Sequence, residues 1–493
     1  RPFGFFIDVV GNPKAETAGG TKFIAAGEEF STILKAVQWQ ADGDTDLSNN
    51  QVTKNFGNEQ APETAKISPN MVLPNLSTLP SAGVLGNLTN VTFDTFSAGS
   101  SAEQGIATND DMTYSEVGII SFNANLTDKS YLGADDVVGS EPYVGRFIPN
   151  NFEITNVIDG SLVGACSVGG TDIPFVYSGQ MLSDSLTTGA LSYILAPALT
   201  VTAKSSICPT GPDSCTTTQN YTGNFIKLST SSYERILPIS DAIRKGKDDT
   251  NLVALAADFD IASIDGVDGE VTYTYSGNDH YAYLHEANSE IDEFTSVIDL
   301  SMVSIIDSDL VETLDNEVDK TGIIVTLNPA GKLIRFGRAQ LENSYGPETS
   351  NLPQSLSVNY FEGGQYKVAD NDLCTPYNAT NMTVTNTNVV DPLPLPLPTI
   401  KSAMGDFRSE VPPGITRAIE LLAPGTGNTG RVCVSYEIYP WLQYKWATDE
   451  DNLQCPFVKA DVDGLFNDNP RAVATFGIYR GNDRIIYQRE ISR

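Results

Sequence analysis

Histidine is almost missing from this chain of 493 residues, which has only His280 and His285. Histidine is the most frequent general acid or base in enzymes, so its scarcity leaves little capacity for proton transfer. The chain also lacks the G-x-S-x-G, P-loop and H-E-x-x-H motifs. Residues five apart on a strand point to opposite faces, so we expect both histidines to be structural rather than to share a metal. The composition therefore predicts a protein that is not an enzyme.

Basic residues are also scarce. The chain has 30 Lys and Arg against 62 Asp and Glu, a formal net charge of -32. This charge repels nucleic acids and anionic membrane surfaces, so neither is an expected partner. No apolar run approaches the roughly 20 residues that a membrane helix needs, so we expect no direct membrane span. Attachment to a surface would then require another segment or a partner protein.

Helical patterns are few, and short alternating segments separated by turn residues dominate. Apolar and polar residues alternate over 271–275 and again over 432–438, which is typical of half-buried antiparallel strands. The best helical candidates are 233–247 and 287–318, although β-branched residues make a strand equally compatible with the second. We therefore predict an all-β protein made of tandem immunoglobulin-like antiparallel β-sandwich modules with little helix.

Clusters of turn residues suggest where the modules meet. We predict four β-rich modules over 1–141, 142–228, 229–328 and 329–493. The segment 471–493 alternates on both sides of a polar turn, which predicts a closing β-hairpin and a natural C-terminus. Because the chain begins at Arg1 without an initiator Met, we expect it to be the distal part of a longer protein.

Three smaller patterns have structural interpretations. Alternating prolines over 391–398 predict an extended edge or connector, because proline excludes helix and removes a ladder donor. The glycine-rich segment 425–430 matches a dinucleotide fingerprint, but a strand rather than a helix follows it, so we predict a hairpin loop. Trp39, Trp441 and Trp446 lie in alternating or aromatic-rich stretches, which favours core positions over a sugar-binding platform.

Six cysteines allow three disulfides. Cys208 and Cys215 enclose a Pro/Gly turn, so a local disulfide is expected there rather than a metal site. The pairing of the other four is left open: Cys166, Cys374, Cys433 and Cys455. Any such bond implies an oxidising, extracytoplasmic compartment. Seven N-x-S/T sequons carry little weight in a chain so rich in Asn and Thr.

Two acidic segments are candidate calcium sites. The first contributes Asp42, Asp44 and Asp46, and the second contributes Asp461, Asp463, Asn467 and Asp468. Ca²⁺ accepts six to eight oxygen ligands and tolerates irregular loops, which suits clustered carboxylates around glycine. The alternative is a solvated acidic turn, since neither segment has the full EF-hand spacing. We expect Ca²⁺ as the cofactor, if the chain has one.

Ordered short motifs along the whole chain resemble those of one bacterial family. They are Arg1-Pro-Phe-Gly4, Ala26-Gly-Glu-Glu-Phe30, Ala36-Val-Gln-Trp39, Asn55-Phe-Gly-Asn58, Tyr114-Ser-Glu-Val-Gly118, Tyr131-Leu-Gly-Ala134, Gly145-Arg-Phe-Ile-Pro149, Asn220-Tyr-Thr-Gly223, Arg335-Phe-Gly-Arg338, Glu342-Asn343, Tyr345-Gly346, Asp372-Leu-Cys374, Ala423-Pro-Gly425, Tyr439-Pro-Trp-Leu442 and the segment 471–493. In these motifs the chain resembles the C-terminal region of MshQ-like proteins, which belong to the MSHA type IV pilus biogenesis cluster. The insert 449–469 and Gln488 depart from the family pattern.

The resemblance implies a secreted protein, extracellular or at the cell surface of a Gram-negative bacterium. It implies a non-enzymatic structural subunit or adhesin of a pilus or surface fibre. The expected partners are fibre subunits, including further copies of this chain as a homopolymer, and surface glycans. The alternatives are a pilus assembly factor or a carbohydrate-active hydrolase that uses paired carboxylates.

Overall fold

A computed structural model gives the structure of the chain. It describes residues 1–493 except 76–82, 97–103, 165–166, 169–170, 173, 183–188, 212–213, 231–232, 237–251, 255–260, 276–278, 284, 286–289, 297, 299, 314–324, 373, 388, 447–464 and 479–493. The described residues form β-strands and loops, and no α-helix is found among them. Their fully described helical turns are short 3-10 turns: Leu47–Asn49, Gly223–Phe225, Ala379–Asn381, Phe407–Ser409 and Pro440–Leu442. The predicted all-β fold class is confirmed.

The N-terminal sandwich has two facing antiparallel sheets. One contains β1 (Gly4–Val9), β2 (Glu29–Val37) and β5 (Ile106–Thr113), and the other contains β3 (Ala65–Leu73), β4 (Thr92–Phe93), β6 (Gly118–Leu126) and β7 (Val138–Phe147). Alternate residues of β2 are buried, because a strand sends successive side chains to opposite faces. Buried phenylalanines from both sheets, including Phe5, Phe30 and Phe122, fill the space between them. Seven strands in two sheets form an immunoglobulin-like arrangement.

The central sandwich contains two four-stranded sheets. The first has the order β16 (Leu252–Ala254), β19 (Tyr281–Tyr283), β13 (Leu191–Leu195), β9 (Ser161–Gly164), and the second β17 (Ile261–Val267), β18 (Glu270–Tyr275), β14 (Ala198–Lys204), β8 (Asn151–Ile158). A two-stranded sheet pairs β10 (Ser167–Val168) with β11 (Thr171–Asp172). A three-stranded sheet has the order β15 (Tyr233–Ile236), β21 (Leu300–Ile305), β22 (Val325–Leu327). The predicted inward face of β18 is confirmed: Val271, Tyr273 and Tyr275 are at most 1% exposed.

The C-terminal sandwich contains strands from 337 onward. One main sheet has the order β24 (Gly337–Leu341), β27 (Leu356–Glu362), β28 (Gln365–Val368), and β32 (Ile415–Thr416) also pairs with β27. The other main sheet has the order β25 (Ser344–Gly346), β35 (Arg471–Phe476), β34 (Gly430–Tyr436), β30 (Met382–Thr385). Two strand pairs complete it: β26 (Leu352–Pro353) with β33 (Glu420–Leu421), and β29 (Pro376–Asn378) with β31 (Met404–Asp406). A mixed sheet lies between the central and C-terminal sandwiches: β12 (Phe175–Tyr177), β23 (Leu333–Arg335) and β20 (Phe294–Thr295).

The structure divides the chain differently from the expected modules. Strand β7 runs through the expected boundary at residue 141, so the N-terminal sandwich extends to Phe147. Strand β14 pairs with β8 on one side and with β18 on the other, so the expected modules 142–228 and 229–328 share one sheet. The central region is therefore a single sandwich, because strand pairing connects segments that turn residues separate in sequence.

Several local expectations need correction. Tyr233–Ile236 and Leu300–Ile305 are strands that pair with each other. The helical interpretation is therefore wrong for the described part of 233–247, and for 300–305 the strand alternative holds. The glycine-rich segment 425–430 is followed by β34, as predicted, but it does not close a hairpin, because β33 pairs with β26 and β34 pairs with β30 and β35. The closing hairpin is described only in its first strand, β35, and residues 479–493 lie outside the described residues.

Among the remaining local predictions, Trp441 is in the core at 5% exposure, whereas Trp39 is 58% exposed and its core assignment is wrong. The alternation predicted for β34 holds at Val432 and Val434. Cys433 on the other face is also buried, because it packs with Val389 and Val473.

Candidate functional site

An ion pair joins the N-terminal and central sandwiches. Arg146, at the end of β7, donates from Nη1 and Nη2 to the two carboxylate oxygens of Asp309, each at 2.6 Å, and from Nε to the carbonyl of Gly20 at 2.8 Å. The arginine side chain is only 4% exposed and that of Asp309 is 13% exposed. The turn that carries Asp309 is held by Asp307, whose Oδ1 accepts the N–H groups of Asp309 and Val311. Two-point geometry fixes orientation as well as distance.

A second contact between these sandwiches involves Glu116 and Asn220. The Glu116 carboxylate accepts the N–H groups of Gln219 and Asn220, each at 3.2 Å, and burial raises the pKa of Glu116 to about 7. The Asn220 amide donates to the carbonyls of Val84 and Val117 at 2.7 and 3.0 Å, and its Oδ1 accepts the N–H of Val84. Asn220 is 1% exposed, so in the folded chain the side chain of this sequon asparagine has a structural role.

The motif Arg335-Phe-Gly-Arg338 connects the central and C-terminal sandwiches. The Arg335 guanidinium lies between the rings of Phe175 and Tyr360, 4.3 and 3.9 Å from their centroids, and its Nε donates to Glu293 at 3.0 Å. Phe336 stacks on His285 with ring centroids 4.2 Å apart. Burial lowers the pKa of His285 to about 4, so this ring is neutral at pH 7.

Arg338 is surrounded by aromatic rings. Its guanidinium carbon lies 3.5 Å from the ring centroid of Tyr366, 4.9 Å from that of Tyr444 and 5.1 Å from that of Trp446. Tyr444 donates to Glu290 of the central region at 2.6 Å. Cations over aromatic faces are attracted by the ring quadrupole, and more strongly when they are desolvated. Arg335 therefore links the central and C-terminal regions directly, whereas Arg338 packs within the C-terminal sandwich against Tyr444, which makes the contact with Glu290.

The C-terminal sandwich has a groove of ≈ 520 Å³ whose lining includes Tyr377, Asn378, Asn381, Met404 and Tyr439. Tyr439 stacks on Trp441 with centroids 4.6 Å apart, so its ring orientation is fixed by the buried indole. Met404 is 76% exposed. Aromatic rings beside side-chain amides can pack against the apolar face of a sugar while they hydrogen-bond its hydroxyls.

A glycine shapes one wall of this groove. A Cβ atom on Gly405 would lie 2.6 Å from the Tyr377 hydroxyl oxygen, so a side chain there would displace that ring. The hydroxyl of Tyr377 in turn donates to Glu410. Asn378 accepts the N–H of Thr380 at 3.0 Å, which caps the 3-10 turn Ala379–Asn381 and holds the amide at the groove. The groove is thus built from positioned side chains.

The structure places part of the predicted calcium ligands. Asp44 accepts the N–H of Asp46 at 3.0 Å, and Asp46 accepts both the N–H and the hydroxyl of Ser48, which lowers the pKa of Asp46. Asp468 pairs through its backbone with Tyr444. Asp461 and Asp463 lie outside the described residues. Over the described part of the chain, no three His, Cys, Asp or Glu side chains converge as metal ligands. Ca²⁺ binding stays a prediction.

The cysteine expectations are met where the structure describes them. Cys208 and Cys215 form a disulfide, as predicted. Cys374 and Cys433 each take part in a disulfide. Cys166 and Cys455 lie outside the described residues.

The two histidines contact different carbonyl groups. His280 Nδ1 is 3.1 Å from the carbonyl of Gly189, and His285 Nε2 is 3.3 Å from that of Gln443.

Sequence reasoning missed the role of the arginines at the junctions. Arg146, Arg335 and Arg338 were noted only as members of short family motifs, and no contact was predicted for them. One signal could have identified them: arginine beside phenylalanine and glycine in a chain with few basic residues indicates a charge that must be paired when it is buried.

The fold and its contacts define a class of protein: a tandem array of β-sandwiches joined by buried ion pairs and aromatic contacts. The chain belongs to the DUF6701 family, whose models for the second, third and fourth domains match residues 1–107, 116–326 and 335–491. Strands β6 and β7 lie within the range of the third-domain model, yet they pair in the sheet of the N-terminal sandwich. Neighbouring domains of the family thus share strands here.

Comparisons with curated proteins and with solved structures do not assign a function. No curated protein matches the chain. One solved structure that matches is invasin, described as a bacterial integrin-binding protein, with 7% identity and a TM-score of 0.21. The alignment covers 88% of this chain and 57% of that one, so this chain spans less than two thirds of invasin. Similarity this low carries no argument about function. Within the described residues, no helix is long and apolar enough to cross a membrane.

Proposed function

We propose that the chain is a non-enzymatic protein of the bacterial cell surface that forms part of a fibre or pilus, as structural subunit or adhesin. The observation that carries this proposal is the construction of the junctions between sandwiches. Arg146 with Asp309 joins the first pair, and Arg335 between Phe175 and Tyr360 joins the second. Flexible tethers need no such contacts, whereas a protein that projects a site or transmits force along a fibre does.

The resemblance to MshQ-like proteins supports a more specific location, at the MSHA-type pilus of a Gram-negative bacterium. The disulfide between Cys208 and Cys215 is consistent with an oxidising compartment outside the cytoplasm. The expected partners are then fibre subunits, including other copies of this chain. Imaging of fibres sheared from native cells, at a resolution that traces side chains, tests this directly. Repetition of the chain along the fibre supports a structural subunit, and location at fibre ends supports an adhesin. Complete absence from fibres would reject both forms and favour an assembly factor.

The adhesin form requires a receptor site, and the groove at Tyr439 is our candidate for neutral surface glycans. We expect saturable binding on a glycan array, lost in Tyr439→Ala because the stacking face is removed. Tyr345→Ala is the matched control, since Tyr345 is 65% exposed and lies outside the groove. Glycan binding that survives Tyr439→Ala would exclude the groove as the receptor site. Release of sugar products by the intact chain would instead favour the hydrolase alternative.

A further inference from the structure

A second pocket lies where the N-terminal and central sandwiches meet. It measures ≈ 410 Å³, and its lining includes Gly20, Lys22, Arg146, Lys227, Ser308 and Asp309. Lys22 precedes the sheet strand β2 of the first sandwich, and Lys227 and Ser308 belong to the central one. The ion pair of Arg146 with Asp309 forms part of its wall. The pocket therefore exists only while the two sandwiches are joined.

The pocket carries uncompensated positive charge. Arg146 and Asp309 neutralise each other. Within the described part of the chain, Lys22 donates to the carbonyl of Asp309 at 2.5 Å and Lys227 donates to that of Asn224 at 3.0 Å. Neither ammonium group forms an ion pair in the described structure, although the chain has 62 acidic residues. Among the described residues six other lysines do pair with acids: Lys14, Lys35, Lys204, Lys367, Lys401 and Lys445.

The charge and the lining together indicate the ligand. Two ammonium groups that line one pocket, one from each sandwich, suit a carboxylate, which accepts a charge-assisted hydrogen bond at each oxygen. The hydroxyl of Ser308 and the peptide groups of Gly19 suit a ligand that is rich in hydroxyls. The volume falls at the small end of ligand pockets and fits one monosaccharide unit.

We propose that this pocket binds the carboxylate of an acidic sugar, such as a sialic or uronic acid residue. This inference rests on the proposed surface location, where such sugars are encountered, and it assigns a site separate from the groove at Tyr439. The carboxylate lies between Lys22 and Lys227, and the sugar hydroxyls face the Gly20 loop and Ser308. Because Lys22 and Lys227 belong to different sandwiches, the ligand also stabilises their junction.

The test uses the intact chain with four probes: N-acetylneuraminic acid, glucuronic acid, galactose and acetate. Calorimetric titration and melting curves are measured for the wild type, for Lys22→Gln with Lys227→Gln, and for Lys54→Gln with Lys66→Gln. The double variant at Lys54 and Lys66 is the control: it also removes two positive charges, but at exposed lysines outside the pocket. We expect saturable binding of at least one sugar acid and a higher Tm, with affinity reduced about tenfold in the pocket variant and unchanged in the control.

Three results would overturn the proposal: no saturable binding of either sugar acid, equal binding by the pocket variant, or acetate or galactose binding as tightly as the sugar acids. The outcome is separable from that of the surface proposal. If fibre imaging fails to find the chain at the cell surface, the pocket can still bind its probes. If the chain is found there and the probes do not bind, only the pocket assignment is rejected.

Discussion

Arg146 and Asp309 are 163 residues apart in sequence and form a two-point ion pair with both N···O distances at 2.6 Å. The pair is largely buried, so its Coulomb attraction is screened less than at a surface, and its separation would leave two desolvated charges. The same arginine also donates to the Gly20 carbonyl. This single side chain therefore connects the end of β7, the loop before β2 and the turn after β21.

Removal of one partner of this pair should destabilise the junction strongly. For Arg146→Gln or Asp309→Asn we expect a loss of about 3 to 5 kcal/mol, because the remaining charge is buried without a counterion. The double variant, Arg146→Gln with Asp309→Asn, should lose less free energy of unfolding than the two single variants added together. Guanidinium unfolding curves measure each free energy. Lys367→Gln is the control: it breaks the pair with Glu362, in which the two side chains are 51% and 35% exposed, so the loss in free energy of unfolding should be far smaller. Equal effects at both sites would contradict the assigned role of the junction.

Glu116 should make stability fall as pH rises. Its folded pKa of about 7 lies above the unfolded value of 4.5, so the folded state binds the proton more tightly between these values. The contribution is complete below pH 4.5 and lost through pH 7, an effect of about 3 kcal/mol. We expect the difference in unfolding free energy between the wild type and Glu116→Gln to change by this amount across that window. A pH-independent difference would show that Glu116 titrates normally.

His285 should act in the opposite direction. Its folded pKa of about 4 lies below the unfolded value of 6.5, so the stabilisation is complete above pH 6.5 and is lost as pH falls through 4. The reason is that the ring is buried, so protonation places a positive charge where water cannot solvate it. Histidine NMR titration measures the pKa, with the His280→Gln variant used to assign the two signals. A His285 pKa near 6.5 would contradict burial of this ring at the junction.

The disulfide between Cys208 and Cys215 closes a short loop, since the residues are 7 apart. Chain entropy then predicts that Cys208→Ser with Cys215→Ser lowers the free energy of unfolding by about 2 kcal/mol. Chemical denaturation of the wild type and the double variant measures this loss. Mass spectrometry of a non-reduced digest checks the bond itself. Recovery of either cysteine in another linkage would disprove the pairing.

Calcium remains a prediction with a direct test. If the acidic segments bind Ca²⁺, chelation should lower the Tm, because a ligand that binds only the folded chain stabilises it. Asp42→Asn with Asp44→Asn, and Asp461→Asn with Asp463→Asn, would then reduce the calcium content separately. Elemental analysis of the purified chain supplies the stoichiometry. Identical melting curves with and without chelator, together with no bound metal, would reject calcium as a cofactor.

The alternating segments predicted strands correctly where one face is buried, as in β18. The helical prediction failed for 233–236, and for 300–305, where helix and strand were equally compatible with the pattern, the structure has a strand. Both are strands because each supplies the other with hydrogen-bond partners. Trp39 was assigned to the core from its alternating neighbours, yet it lies two residues beyond the end of β2 and is exposed. Alternation in the sequence does not show at which residue a strand stops pairing with its neighbours.

The candidate sites were harder to predict from the sequence than the fold was. The groove combines Tyr377 with Tyr439, and the acidic-sugar pocket combines Lys22 with Lys227, so neither set forms a motif with a fixed spacing. The Cys208–Cys215 bond was predictable because its loop is short and local.

Composition and period-two alternation alone determined the all-β class and the strong negative charge, since both follow from residue types and near neighbours. Tertiary structure decided which strands share a sheet, that 142–228 and 229–328 form one sandwich, and that buried arginines join the modules. These features depend on contacts between residues more than a hundred positions apart, such as Glu116 with Asn220. Such contacts form only when the sheets are already in place, because an isolated charge or amide is better solvated by water.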